Sequence, residues 1–437
     1  MSQLFDAPGV QAVVGGLRRQ QVMDVTRGAA FVGAFLLAWV SLHPFPDLSD
    51  KHWGDVTLGS ETLTYAAFGC LAVLMAALVI RDNMPGLKTL ASPGYLLFGG
   101  WIVVTVLTSL DPGTSLRRFV LTACALVVAA AMPLLPKDEG ELARWIAVAT
   151  LGLLAICYLG LLLVPNLSIH LATDGQEPAL AGDWRGSFGH KNSASAVMAM
   201  VLFLGIYVLR SGAWLSGITI VALTALFLCG AGGKSSLVLS FAVLVVTSVT
   251  MVVRAFWLRA LAMLTPLLLL NLLSIGTVID DSLAGLTRML PLDTSFTGRT
   301  EIWSFALSAA QLRPWTGYGF AAFWGGPWIR SQPDGAEWFA TASDSHNGYL
   351  DIALAMGLPG LVLLVVVLVI APLRDFHAAD NNGNRGPLAM AFQQIWLFGI
   401  YAASMGGFFL DRHDPVWFTF MVAVFGLHYL ARFRLRS

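Results

Sequence analysis

The feature that most constrains this chain is its repetition of long stretches without a charge, such as Leu215 to Leu228 and Gly360 to Leu373. A water-exposed surface cannot carry such runs, whereas a hydrocarbon core of ~30 Å requires about 17 to 25 mainly apolar residues per helical crossing. Candidate crossings fall near 28–43, 62–80, 95–109, 117–134, 143–164, 193–210, 214–230, 234–252, 256–278, 347–372, 390–410 and 416–431. The composition agrees, with 57% of the residues hydrophobic and 12% charged, against about a quarter charged in ordinary soluble domains. The expected fold is therefore all-α: a polytopic membrane protein with about twelve transmembrane helices, in which residues 1–437 form a single integral membrane domain.

Twelve crossings put both termini on one side. The tails carry Arg18, Arg19, Arg27 and then Arg432, Arg434 and Arg436, which the positive-inside rule assigns to the cytoplasm. With each connection on its implied side, most Lys and Arg lie inside and most Asp and Glu outside. The net charge is zero, so nothing points to nucleic acid as a partner. Residues 1–27 lack an apolar stretch followed by a cleavage site, and the first crossing is expected to act as its own targeting signal. Cys70, Cys124, Cys157 and Cys229 lie in apolar runs without metal or redox spacing and are expected to be small hydrophobes in helices.

Two outer connections are long, 165–192 and 279–346, and connections beyond ~12 to 15 residues are usually functional or disordered. The second contains a helix-like stretch from Arg299 to Gln311, with Ile302, Trp303, Ala306 and Leu307 on one face, stopped by Arg313-Pro314. Trp303, Trp315, Tyr318, Phe320, Phe323, Trp324 and Trp328 suit an interfacial segment at headgroup depth, able to meet sugar faces or polyprenyl tails.

The crossings are nearly free of ionisable residues at their centres, which disfavours an ion-coupled transporter. The charges gather where helices begin at the outer face, in Trp184-Arg185-Gly186-Ser187-Phe188-Gly189-His190-Lys191-Asn192, Gly232-Gly233-Lys234-Ser235, and Asp344-Ser345-His346-Asn347-Gly348-Tyr349. Unpaired amides at a helix N-terminus favour an anion, so Lys191 and Lys234 there make sense beside something anionic, and a phosphate suits such a place. Gly233-Lys234-Ser235 is no nucleotide loop, because the first glycine of that motif would fall on Leu228. Asp411-Arg412-His413-Asp414-Pro415 reads as a short turn with its own charge pairing rather than a ligand set, so no metal and no cofactor is expected. His346, with Ser345 as the expected N-cap, is the candidate general base, since a helix N-terminus favours the neutral imidazole. His190 is its rival.

Four segments in order resemble the O-antigen ligase and polymerase superfamily, nearest its bacterial exopolysaccharide-polymerase branch. They are Arg185-Gly186-x-Phe188-Gly189-His190-Lys191-Asn192, Thr297-Gly298-Arg299-Thr300-Glu301-Ile302-Trp303, Arg313-Pro314-Trp315-x-Gly317-Tyr318-Gly319-Phe320 and Ser345-His346-Asn347-Gly348-Tyr349-Leu350. The resemblance implies a metal-independent, inverting glycosyltransferase with a helical GT-C-like membrane fold. It would act at the periplasmic face of the bacterial inner membrane on oligosaccharide linked to undecaprenyl diphosphate. Carried over, Arg185, Lys191, Lys234 and Arg299 would hold the diphosphate and His346 would deprotonate the acceptor glycan, with His190, Asn192, Glu301 and Asn347 as accessory residues. Lys234 departs from the arginine of other members and gives up bidentate geometry. Membrane lipid and chain-length or export proteins are candidate partners. Polymerase and ligase differ only in acceptor and both stay open; a lipid-linked oligosaccharide flippase is a third reading, which would bury cations within its helices.

Overall fold

The computed structural model describes residues 8–48, 58–174, 178–289, 299–331, 342–412 and 414–433, with the backbone alone for 8–19, 58–61 and 288. Thr297, Gly298, His413, Arg434 and Arg436 lie outside the described residues, as do the side chains of Arg18 and Arg19. The longer helices, in chain order, are α1 (Pro8–Val40), α2 (Leu58–Asp82), α3 (Pro93–Leu107), α4 (Pro112–Ala131), α5 (Glu139–Leu163), α6 (Lys191–Arg210) and α7 (Trp214–Gly230). They continue as α8 (Lys234–Val252), α9 (Phe256–Leu273), α10 (Arg299–Leu312), α11 (Gly348–Leu364), α12 (Ala371–Asn381), α13 (Pro387–Ala402) and α14 (Pro415–Leu430).

Every apolar stretch marked in the sequence falls mainly on helix. Among the described residues, eight helices are long and apolar enough to cross a membrane, and α3, α7 and α14 are shorter apolar ones. α13, also apolar, has 16 residues. Proline opens α3, α4, α13 and α14, a position whose missing N–H costs nothing, and Asp111, Asp138 and Asp414 accept amide bonds as caps. Among the described residues the one β-bridge joins Ile169 to Trp184.

α13 and α14 are buried on nearly every side, Trp396, Leu397, Phe398, Tyr401, Phe420 and Leu427 among them. A helix apolar all round belongs at the centre of a bundle, and Val73, Leu162, Leu163, Phe241, Val252 and Leu268 on the outer helices are exposed where lipid would cover them.

The stretch 347–372 is not one straight helix. Gly357 adopts φ 67° and ψ −175° inside α11, and Pro359 follows it, so the carbonyls before the break lose their helical donors. Non-helical backbone at membrane depth requires substitute partners within the protein, and each is present. Tyr318 N–H donates to Leu354 O at 2.7 Å, Gly319 N–H to Ala355 O at 3.1 Å and Trp101 Nε1 to Met356 O at 2.9 Å. Leu358 N–H donates in turn to Pro314 O at 2.8 Å. The segment 313–320 thus fills the kink, and Leu110 N–H binds Tyr318 O on its far side at 3.1 Å.

That packing turns several rings of the aromatic segment inward rather than toward lipid. Trp303, Tyr318, Phe320 and Phe323 are at most 2% exposed, whereas Trp315 is 71% exposed. Trp303, Tyr318 and Phe323 form a second core with Ile329, Leu350 and Leu354; the first expectation considered ring chemistry without the gap that α11 opens. The stretch 390–410 also differs: α13 ends at Ala402, and 403–412 form an irregular turn. Nor are the helices free of buried cations, since Arg259 in α9 is 1% exposed. It lies in the first turn of α9 and pairs with Asp380, near the end of α12, at 2.6 Å.

Candidate functional site

Two groups of the marked residues assemble at the ends where α6, α8 and α11 begin. In the first, the bridge between Ile169 and Trp184 ties the loop 165–190 to itself, with His170 N–H donating to Asp183 O at 2.9 Å and Trp184 N–H to Gly230 O at 3.0 Å. The loop is thereby laid against the turn between α7 and α8. Lys191 Nζ pairs with Asp183 Oδ2, and a Cβ on Gly232 would meet Asp183 Oδ1 at 2.8 Å. Asp183 therefore lies between Lys191 and the turn that presents the exposed Lys234.

Arg185 lies beneath this surface, 1% exposed. Its Nη1 donates to Phe188 O at 3.1 Å and its Nη2 to Pro46 O at 2.8 Å, while Nε has no hydrogen-bond partner. Burial lowers the guanidinium pKa from its usual range, and the carboxylates of Asp174 and Asp47 oppose that. His190 is the N-cap of α6, its Nδ1 accepting from Asn192 N–H at 3.0 Å. The Asn192 side chain is exposed.

Sequence reasoning missed His170. It is 2% exposed, its Nδ1 lies 3.0 Å from Asp174 Oδ2, and its Nε2 accepts from Lys191 N–H at 3.2 Å. Burial lowers its pKa against the Asp174 hydrogen bond. Both ring nitrogens are engaged, so it orients the start of α6. The spacing His170-x-x-x-Asp174 was the only signal in the sequence.

The second group surrounds His346. Its φ is +55°, uncommon for a non-glycine residue and a mark of local constraint. Asp344 Oδ1 provides that constraint, accepting from His346 N–H at 2.7 Å and lying 3.2 Å from His346 Nδ1. A neutral imidazole that donates from Nδ1 carries its lone pair on Nε2, and the side chain is 44% exposed. The cap of α11 is Asn347 rather than Ser345: Asn347 Oδ1 accepts from Tyr349 and Leu350 N–H at 3.1 Å each. Asn347 is fully buried and its Nδ2 donates to Ser404 O at 3.0 Å, so it is a structural tie. Ser345 is spent internally, Oγ donating to Asn347 O at 2.9 Å.

Arg299 opens α10 and donates from Nη1 to Met405 O at 3.0 Å, one residue beyond the carbonyl that holds Asn347. Four residues along, Trp303 Nε1 donates to Ser345 O at 2.9 Å, which joins α10 to the backbone beside His346. Glu301 is exposed. The turn 403–407 was missed because it was counted as membrane helix; Ser404-Met405-Gly406-Gly407, two glycines running, was the available signal. Asp414 Oδ1 caps α14, accepting from Val416 and Trp417 N–H at 2.7 and 2.8 Å.

Comparison with known proteins reaches the turn of Lys234 and the group around His346. A family model described as O-antigen ligase matches residues 219–365. The exopolysaccharide production protein ExoQ of Rhizobium meliloti (strain 1021) is 32% identical over 82 residues, which is 18% of this chain and 19% of that protein. The likeness to the O-antigen ligase and polymerase superfamily carried by the motifs of residues 184–351 is thus shown independently, through residues 219–365 of the chain.

Proposed function

We propose that this protein is a glycosyltransferase of the periplasmic face of the bacterial inner membrane. It transfers oligosaccharide from undecaprenyl diphosphate to a sugar hydroxyl and polymerises exopolysaccharide repeat units. The observation that carries the reading is the Asp344–His346 pair at the mouth of α11. A sugar hydroxyl is a poor nucleophile and needs a base; a carboxylate on Nδ1 sets the tautomer whose Nε2 can accept the proton, as in other Asp–His pairs. The hydroxyl oxygen attacks the anomeric carbon, a new glycosidic C–O bond forms, and the C–O bond to the diphosphate breaks with inversion. The proton passes to His346 Nε2 and the electron pair of the broken bond goes to the diphosphate oxygen.

Cations stabilise that leaving group. Lys234 meets it directly, Lys191 exchanges Asp183 and Arg299 exchanges Met405 O for a phosphate oxygen, and Arg185 supports the loop from below. Since cations alone meet the charge, turnover of a lipid-linked repeat unit by the purified protein should continue in excess EDTA. Loss of activity restored by one divalent ion would overturn the metal-free mechanism.

A ligase reading keeps support from the description of the matched family, whereas the exopolysaccharide relative favours a polymerase. The lipid-linked products of a deletion strain separate them: single repeat units accumulate without a polymerase, full-length polymer on undecaprenyl diphosphate without a ligase. The orientation is tested by reporter fusions. Alkaline phosphatase fused after Asp293 should be active and a fusion at Asn382 inactive; the reverse pattern would move the site to the cytoplasm and remove the donor argument.

A further inference from the structure

We propose that Asp351 is a further positioning residue, forming with Asp344 a carboxyl pair across Gly407 that holds a single proton and leaves Asp344 as the anion facing the His346 imidazole. The inference rests on the reading of His346 as the base. Asp351 is bound on one side only: Oδ1 accepts from Trp324 Nε1 at 2.8 Å and from Ser345 N–H at 3.0 Å. Its Oδ2 is buried with no hydrogen-bond partner. A Cβ on Gly407 would collide with that Oδ2 and lie 2.8 Å from Asp344 Oδ1, so both carboxyl groups press on one glycine.

The hydrogen bonds decide where the proton sits. Asp344 collects Ser343 Oγ at 2.8 Å on Oδ2 and His346 N–H at 2.7 Å on Oδ1, with His346 Nδ1 at 3.2 Å. An oxygen surrounded by donors is an acceptor and stays anionic. Asp351 Oδ2 meets no donor, and a buried polar atom without a partner is costly unless it can donate itself. Two carboxylates held this close, one of them with an oxygen cut off from water, repel; one proton on Asp351 Oδ2 removes the repulsion and supplies a donor.

Asp411, Arg412 and Asp414 follow Gly407 within seven residues. Asp411 and Asp414 come from the turn that carries Gly407, and Asp414 is itself pushed up to about 7 by burial, with Asp411 and Asp344 adding to it. The cation Arg299, on α10, is turned to Met405 O. Through Ser345 N–H and Trp324, Asp351 also links the backbone beside His346 to the aromatic segment that fills the kink. A change in that segment therefore reaches the base through this carboxyl group.

The experiment uses the purified full-length protein and a lipid-linked repeat unit as substrate. Asp351→Asn should cost up to about tenfold in turnover while the acid limb of the rate–pH profile stays in place, because the amide is neutral like the acid it replaces. Asp344→Asn should cost about tenfold or more and move that limb to lower pH, because the anion that favours the imidazolium is gone. Infrared spectra should show a protonated-carboxyl band that Asp351→Asn removes. Movement of the limb in Asp351→Asn as large as in Asp344→Asn would make Asp351 an anion and overturn the proposal. Should Asp351→Asn fail to fold, Asp414→Asn decides: its amide still caps α14, and a carboxyl band surviving at pH 6 supports the pair, whereas its absence overturns it. Full turnover in His346→Ala would instead sink the base reading and leave the infrared result standing.

Discussion

His346→Ala is expected to lose roughly 10²- to 10⁴-fold in turnover, the range typical of a general base, while still binding the lipid diphosphate. The separation follows from where the parts lie. Lys191, Asp183 and the Lys234 turn belong to the loop 165–190 and the starts of α6 and α8, whereas His346 is held by Asp344 in the irregular segment before α11. Removing the imidazole takes away the proton acceptor and leaves the cations. His190→Ala should cost less, because the His190 ring caps α6 through Asn192 N–H, and cap losses are ~0.5–2 kcal/mol of helix stability. The acid limb of the wild-type profile, which reports protonation of the base, should flatten in His346→Ala. Donor binding measured beside turnover checks the assignment. Full turnover in the variant, or a loss of binding in proportion to turnover, makes His346 a positioning residue at most.

Gly317→Ala should lose the folded protein, while Gly325→Ala, a change of the same residue type at the same φ of +65°, should be tolerated. Left-handed backbone costs an alanine ~1–2 kcal/mol at either position. The surroundings separate them. A Cβ on Gly325 meets nothing within 4 Å, whereas one on Gly317 collides with Leu354 O and comes 2.6 Å from Ala355 C and 2.7 Å from Met356 N. These are backbone atoms of the kink in α11 and cannot turn aside. Moving residue 317 away breaks the bonds from Tyr318 and Gly319 to Leu354 O and Ala355 O, and each group left unsatisfied costs ~1–3 kcal/mol. In detergent, thermal unfolding should show a small shift for Gly325→Ala and no monodisperse protein for Gly317→Ala. Equal stability of the two variants would mean that segment 313–320 does not need to fill the kink.

The helices could be read from the chain because an uncharged run of membrane length has few other uses. Arg299 as the start of a loop helix and Trp303 on its buried face follow from helical spacing in the same way. The ordered motifs located the region that the O-antigen ligase family match covers in large part. Contacts between distant segments could not be read. Ser404, Met405 and Gly407 lie more than fifty residues from His346, in a stretch apolar enough to pass for helix. They enter the second cluster only because α13 stops at Ala402 and frees its backbone. The aromatic segment looked interfacial because hydropathy cannot distinguish a ring facing lipid from one filling a kink. Gly357 and Pro359 release carbonyls whose partners must come from elsewhere in the fold, and that requirement drew Tyr318 and Gly319 inward. Sequence determines what each segment can satisfy within itself; the tertiary structure decides who satisfies the rest.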